Sequence, residues 1–311
     1  MISIMTKKMH NGIKYLTNSK YRFDWNAYHG KYNSMSDEEY LKRKFKMKVG
    51  YELNLSNPRS FNEKIQWLKI HDRNPQYAKL VDKYEAKKIV SKKWGEKYII
   101  PTIGVWNNFN EIDFQKLPNE FVLKCTHDSG GVVICYDKEK LDFNSAKIKI
   151  EKCLKHNYYF SGREYPYKDI KPRIIAEKLM VSDNENRDLN DYKLMCFNGK
   201  VRCSFVCSNR FGDGSLYVNF YDEDWKPMPF IRKYPKNPKE ILKPHCYDDM
   251  VRLAEEISKE IPFLRVDFYE CQGAIYFGEF TFYPGSGMEW FDPVEWDYKL
   301  GNMIILPEVY N

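Results

Sequence analysis

No run in the 311-residue sequence approaches 18 apolar residues, which argues against a membrane-spanning helix. The opening MISIMTKKMHNGIKYL breaks into Lys7-Lys8 and His10 too early for the apolar core of a secretion signal. A soluble, cytoplasmic protein is expected. The eight cysteines lack the short paired spacing of a zinc site, and most stand in apolar, strand-like surroundings, so they read as reduced thiols. Internal repeats and low-complexity tracts are lacking as well. So are HExxH, GxSxG, GxGxxG and GxxxxGK[ST], which removes the common zinc-hydrolase, serine-hydrolase and P-loop signatures.

What the chain does contain is globular. Hydrophobic residues make up 43% and charged residues 30%, and the length suits about two domains. A net charge of +7 invites anionic partners such as nucleotides, phosphorylated sugars or acidic polymers. The basic residues are spread along the chain rather than gathered on one face, so a nucleic-acid binder is not expected. Aromatics reach 16%, with 24 Tyr, enough for sugar or base stacking as well as for filling a core.

The first third reads as helical. Ser36 with Glu39 and Ser60 with Glu63 form capping-box patterns, Asp82 caps DKYEAKKIVSKKW, and Gly50 and Gly95 close two of these helices. From Tyr98 onward short strands dominate: YIIP and PTIGVW, then FVLKCT and VVICY around His127-Asp128-Ser129-Gly130-Gly131, and RIIAEKLM after a helix over about 144–156. Val181 to Asn190 is polar enough for an exposed hinge. DYKLMCF and KVRCSFVC flank the hairpin signal Asn198-Gly199, a helix is expected over about 238–259, and a last hairpin joins FLRVDFYE to AIYFGEFTF. This order argues for an α+β fold.

The last hairpin carries the most chemistry. A two-residue Gln272-Gly273 turn would set Asp267 opposite Gly278 and put Glu279 on the other face. A three-residue loop would set Arg265 opposite Glu279, with Asp267 diagonal, so that both carboxylates could share one hard cation. The plain alternative is a surface hairpin of alternating charge, although Glu279 interrupts a strand otherwise apolar on both faces. Lys124 similarly interrupts FVLKC just before a glycine-rich loop, where it could hold phosphate or simply snorkel to solvent. His127 could contact phosphate or substrate, and Glu177 could accept from an adenine amino group or a ribose hydroxyl; taken alone, each reads first as a solvated surface residue.

Taken in order, SFNEKIQWLKIHDRNP, LVDKYEAKKIV, LPNEFVLKCTHDSGG, PRIIAEKLM, DYKLMCFNGKV, FLRVDFY and YFGEFTFYPGSG resemble the TupA-like ATP-grasp family of bacterial cell-surface polysaccharide synthesis. The resemblance runs from about residue 60 to 306. It implies an ATP-grasp fold, two α+β subdomains gripping ATP: a helical region over 1–75, a helix and strands over 76–117, a small subdomain over 118–181, and a C-terminal subdomain with the metal site over 182–311. It implies ATP and Mg²⁺ as cofactors. Lys124 matches the phosphate-contacting lysine, and Ser129, Gly130 and Gly131 match the loop closing over the phosphates. Glu177, Lys178 and Leu179 match the adenine and ribose lining, with Asp191 and Lys193 as further nucleotide-side positions. Arg265 matches the phosphate-side arginine, and Asp267 and Glu279 the magnesium ligands. Thr281 stands where many relatives have a metal-binding Asn, and Lys87 where the family often has Arg.

The implied activity is carboxylate–amine ligation through an acyl phosphate, with a uronic acid of a surface polysaccharide and an amino acid or amine as substrates. A glycosyltransferase or kinase of the same pathway is the alternative enzyme, and a basic module binding an acidic polymer the non-enzymatic one. For the acceptor, the aromatic and basic residues Tyr21, Arg22, Trp25, Tyr28, Lys31 and Tyr32 with Arg59 and Lys64 suit sugar rings and uronate carboxylates. If Arg59 does not serve, the segment around Tyr283, Ser286 and Trp290 is next.

Overall fold

The computed structural model describes residues 12–181, 189–209 and 216–308. The polar stretch read as a hinge lies, over 182–188, outside the described residues. Two antiparallel sheets organise the chain. The first has the order β1-β4-β2-β3, from β1 (Thr102–Trp106), β2 (Phe121–Cys125), β3 (Val132–Cys135) and β4 (Ile174–Lys178). The second has the order β10-β9-β5-β6-β7, from β5 (Asp191–Phe197), β6 (Lys200–Ser208), β7 (Tyr217–Tyr221), β9 (Phe263–Cys271) and β10 (Ala274–Thr281). A two-stranded patch pairs β8 (Ile231–Arg232) with β11 (Phe291–Asp292). No helix among the described residues is long and apolar enough to cross a membrane.

Each sheet is fixed by its own core. In β2, Phe121, Leu123 and Cys125 enter a cluster with Ala146 and Ile150 of the helix Phe143–Leu154, and the alternation leaves Val122 and Lys124 on the opposite face. The second sheet holds the largest core, and the helix Tyr247–Ser258 packs against β5, β6 and β9 through Met250, Leu253 and Ala254. Buried on both faces, β5 has no exposed residue, so its Asp191 and Lys193 are interior charges. A third, small core joins Phe23 and Ala27 of the helix Ser19–Tyr28, Tyr40, Leu41 and Phe45 of Asp37–Val49, and Leu53 just beyond it.

The helix ends follow the local chemistry. Ser60 and Glu63 complete a reciprocal capping box on the helix Phe61–His71, and Asp82 accepts from the Tyr84 and Glu85 amides at the start of Lys83–Trp94. At Ser36 only half the box forms: the hydroxyl takes the Glu39 amide, but the Glu39 carboxylate pairs with Arg43 instead. One expectation is corrected. The helix expected over 238–259 begins at Tyr247, because Pro238 and Pro244 cannot donate backbone hydrogen bonds and hold the chain extended ahead of it.

Candidate active site

A cavity of about 200 Å³ lies between the two sheets. Val122, Lys124, Val132, Ile134 and Glu177 line it from the first sheet, and Asp191, Lys193, Asp267, Tyr269 and Glu279 from the second. Lys178, Leu179 and Met180, which leave β4, complete an apolar wall with Ile100. A slot walled by aliphatic side chains and floored by charges suits a flat ring with an anionic tail.

On the first-sheet side, Val122 pairs with Glu177 across β2 and β4, so Lys124, two residues on, is the diagonal neighbour of Glu177. Lys124 Nζ lies 2.5 Å from one Glu177 oxygen, while Lys87 pairs with the other and donates to the Ile100 carbonyl at 2.7 Å. Burial alone would raise the Glu177 carboxyl, but Lys124 and Lys87 outweigh it and hold the pKa at about 2. Each Glu177 oxygen thus faces one lysine, and the carboxylate lines the first cavity beside Lys178 and Leu179.

On the second-sheet side neither register anticipated for the hairpin holds. The turn is the two-residue Gln272-Gly273, with both residues at positive φ, and pairing runs regularly to Phe277 opposite Phe268. A bulge at Gly278 then shifts the register by one, setting Glu279 directly opposite Asp267 and Thr281 opposite Arg265. Glycine fits because a Cβ at 278 would come within 3.2 Å of the Asp267 carbonyl oxygen and the Tyr269 ring. Across β5, Lys193 stands opposite Asp267. Lys193, Asp267 and Glu279 therefore form one row across three strands.

Arg265 threads this row. It donates to both Asp267 oxygens at 2.6 and 2.7 Å and to Glu279 at 2.8 Å, the last a diagonal contact rather than the direct pairing expected from a three-residue loop. Lys193 pairs with Asp267 and lies 2.7 Å from Asp191. Burial would raise the Glu279 carboxyl, but Arg265, Lys193, Lys83 and Lys124 hold it at about 2. Burial pushes the Asp267 carboxyl up against the pull of Arg265 and Lys193. Among the described residues no three His, Cys, Asp or Glu side chains converge as a ready metal cage. Asp267 and Glu279 are two hard oxygen donors facing each other, a set that fits a divalent cation whose remaining ligands come from elsewhere. Thr281 Oγ1 is 3.4 Å from Glu279 Oε1.

A second cavity, about 570 Å³, adjoins the first and shares Glu279 with it. Arg265, Thr281 and Ser129 line it, with Tyr158, Glu164 and Tyr167, and the segment Tyr283 to Trp290 forms a further wall. Ser286, at φ 56°, is fixed by the buried Lys69, whose ammonium donates to its carbonyl and hydroxyl oxygens, both at 2.8 Å. Burial pushes the Lys69 ammonium down and the Glu164 carboxyl up, and each group's charge opposes the other's shift.

The remaining candidates divide. Gly130, at φ 116°, and Gly131 shape the β2–β3 turn, and a Cβ at Gly131 would come within 2.7 Å of an Asp128 carboxylate oxygen. His127 is buried with Nε2 3.2 Å from the Cys153 carbonyl and lines neither cavity. Arg59 is exposed and lines neither cavity, and its backbone amide donates to Glu63 at 2.8 Å in the cap of the next helix. Arg59→Ala should accordingly leave the Michaelis constants of ATP and acceptor within about twofold of wild type in steady-state kinetics. Sequence reasoning missed Lys83, which lines the first cavity and donates to the Asp128 carbonyl; its signal was its place beside the Asp82 cap. It also missed Glu164, a lone carboxylate in the aromatic run YYFSGREYPY.

Two sheets closing on a slot, with lysines on one and a carboxylate–arginine row on the other, define an ATP-grasp fold. The sequence matches the TupA-like ATP-grasp family over residues 63–305, and the chain belongs to that family. ATP and Mg²⁺ are the cofactors of this class of enzymes. No curated protein matches the chain. Among solved structures, D-alanine–D-alanine ligase from Bacillus anthracis complexed with ATP is similar at 17% identity and a TM-score of 0.42, over 72% of this chain and 63% of that one. The Helicobacter pylori D-alanine–D-alanine ligase gives 16% and 0.40, over 73% and 61%. L-amino acid ligase from Bacillus licheniformis gives 14% and 0.38, over 67% and 44%. The chain thus spans less than two thirds of the length of these structures.

Proposed function

We propose that the protein is an ATP- and Mg²⁺-dependent carboxylate–amine ligase acting on a uronic acid of a bacterial surface polysaccharide. The observation that carries this reading is the meeting of two cavities at Glu279, beside Arg265: one is an apolar-walled slot floored by charges, the other is larger, polar and lined by rings. ATP would lie in the first, its base between Ile100, Val122 and the Leu179–Met180 wall and its phosphates toward Lys124, Lys83 and Arg265. Asp267 and Glu279 would hold Mg²⁺, which neutralises phosphate charge when bound.

An acid held in the second cavity presents a carboxylate oxygen to the γ-phosphorus. The new P–O bond forms as the bond to ADP breaks, giving an acyl phosphate. An amine nitrogen then attacks the acyl carbon, inorganic phosphate leaves, and the nitrogen gives up a proton. Arg265 meets charge on the transferring group, and the protein's main contribution is positioning.

Hydroxylamine can replace the unidentified amine. With ATP, Mg²⁺ and glucuronate it should yield a hydroxamate together with ADP and inorganic phosphate. ADP with a phosphorylated sugar and no hydroxamate would make the protein a kinase. Transfer from a nucleotide sugar without ATP would make it a glycosyltransferase. Salt-sensitive polymer binding with no ATP turnover would make it a binding module.

A further inference from the structure

The family match begins at residue 63, yet the second cavity is walled in part by what precedes it. Asp24, from the helix Ser19–Tyr28, and Lys44 and Lys48, one turn apart on Asp37–Val49, all line it. These helices are fastened to the body of the molecule. Tyr40 donates to the Ser161 carbonyl at 3.0 Å, and the buried Arg163 donates to the Tyr32 carbonyl at 2.5 Å with its guanidinium 4.6 Å from the Tyr40 ring. Their lysines are therefore placed by a packed core rather than by a loose arm.

The carboxylates lining this cavity, Asp128 and Glu164 among them, outnumber its four cations, and the cations are unequally paired. Lys48 lies 2.5 Å from Asp24, Lys233 lies 3.0 Å from Glu289, and Arg265 holds Asp267 and Glu279. Lys44 makes no ion pair among the described residues; its ammonium donates to a neutral acceptor, the Ser161 carbonyl. Its other neighbours are the Tyr40 ring at 5.7 Å and the more distant charges of Asp24 and Glu164, so a half-buried ammonium facing the cavity with no carboxylate in contact is free to take an anion. It is separate from the phosphate side of the first cavity, which Lys44 does not line.

We propose that Lys44 is a specificity-determining residue, receiving a second negative group of the acid substrate, one that is not phosphorylated. The inference rests on the ligase reading and adds to it that the preferred acid carries two anionic groups, recognised by a segment outside the shared family region. The second group is a phosphate or another carboxylate; a lysine ammonium, a point charge, takes either.

The test is calorimetric titration of the full chain loaded with Mg²⁺ and ADP, using glucuronate, glucuronate 1-phosphate and digalacturonate as probes. Wild type should bind at least one of the two-anion probes roughly tenfold more tightly than glucuronate, as one desolvated charge contact gives. Whichever probe shows the advantage names the source of the anion. Lys44→Met should bring that probe level with glucuronate, and Lys44→Arg should keep most of the preference. Lys46→Met, on the same helix but bridged to Glu52 in solvent, should keep all of it. An unchanged dissociation constant for ADP certifies that each variant is folded. The inference falls if neither two-anion probe gains over glucuronate, if Lys44→Met keeps the gain, or if none of the three binds. Failure of ADP itself to bind overturns the ligase reading as well; ADP binding without the Lys44-dependent preference overturns this inference alone.

Discussion

Glu279→Gln should reduce ATP turnover about a thousandfold or more while the melting temperature changes little. Asp267→Asn should do the same and destabilise the fold besides. The two carboxylates face each other across the bulged hairpin, and losing either removes a hard oxygen donor and leaves phosphate charge unneutralised, an effect of several kcal/mol on the barrier. Their surroundings separate them. The Glu279 side chain is 43% exposed and gives onto both cavities, so its amide can be solvated. Asp267 is 1% exposed and receives Arg265 and Lys193 together; removing its charge leaves Arg265 with Glu279 alone and Lys193 with Asp191 alone, so part of the about 3–5 kcal/mol that an uncompensated buried charge costs is lost. Turnover assays at saturating Mg²⁺, paired with thermal melts, check both halves. Near-normal turnover in Glu279→Gln would end the assignment of this row to the metal.

The hairpin also marks where the sequence stops being legible. The two-residue Gln272-Gly273 turn is one of the two loops the sequence leaves open, and both its positions take positive φ. What such reading does not reach is the bulge at Gly278. A glycine in an apolar strand signals a bulge only in general terms, and the partner strand decides whether the extra residue is absorbed there or paired. Helix caps were legible for a related reason: Ser60, Glu63 and Asp82 act within one turn of chain, and that turn is in the sequence. The Lys87–Glu177–Lys124 bridge was not. Its members come from a helix and two strands, and each alone reads as a surface charge. Arg59, read for a sugar contact because basic and aromatic residues mix in the first third, is tied to the fold through its backbone amide and lines neither cavity. The second cavity is assembled from residues 24 to 290, a span over which no spacing rule operates.

Glu177 gives the other large effect, and its sign follows from linkage. The carboxyl is held at about 2 in the folded protein against an ordinary value of 4.5. A depressed folded pKa means that the unfolded chain takes up the proton first as the solution is acidified. The stabilisation is therefore complete above the unfolded value and is lost as pH falls from about 4.5 toward 2. The shift corresponds to about 3 kcal/mol, and with Glu177 only 3% exposed little of it is screened by solvent. Glu177→Gln should remove this acid dependence. At pH 7 it should also destabilise the protein by about 3–5 kcal/mol, because Lys87, buried against the Ile100 carbonyl, loses its counter-charge. Lys124, more exposed at the cavity wall, can turn toward solvent, so most of the loss falls on Lys87. Glu177→Gln combined with Lys87→Met should recover stability at pH 7 without restoring the acid dependence, since the buried charge goes but the titrating group stays absent. Denaturant melts of wild type, single and double variants from pH 7 to 3 separate these outcomes. A wild-type stability that stays flat between pH 5 and 3, or a double variant no more stable than Glu177→Gln, would mean that the two lysines do not hold this carboxylate ionised.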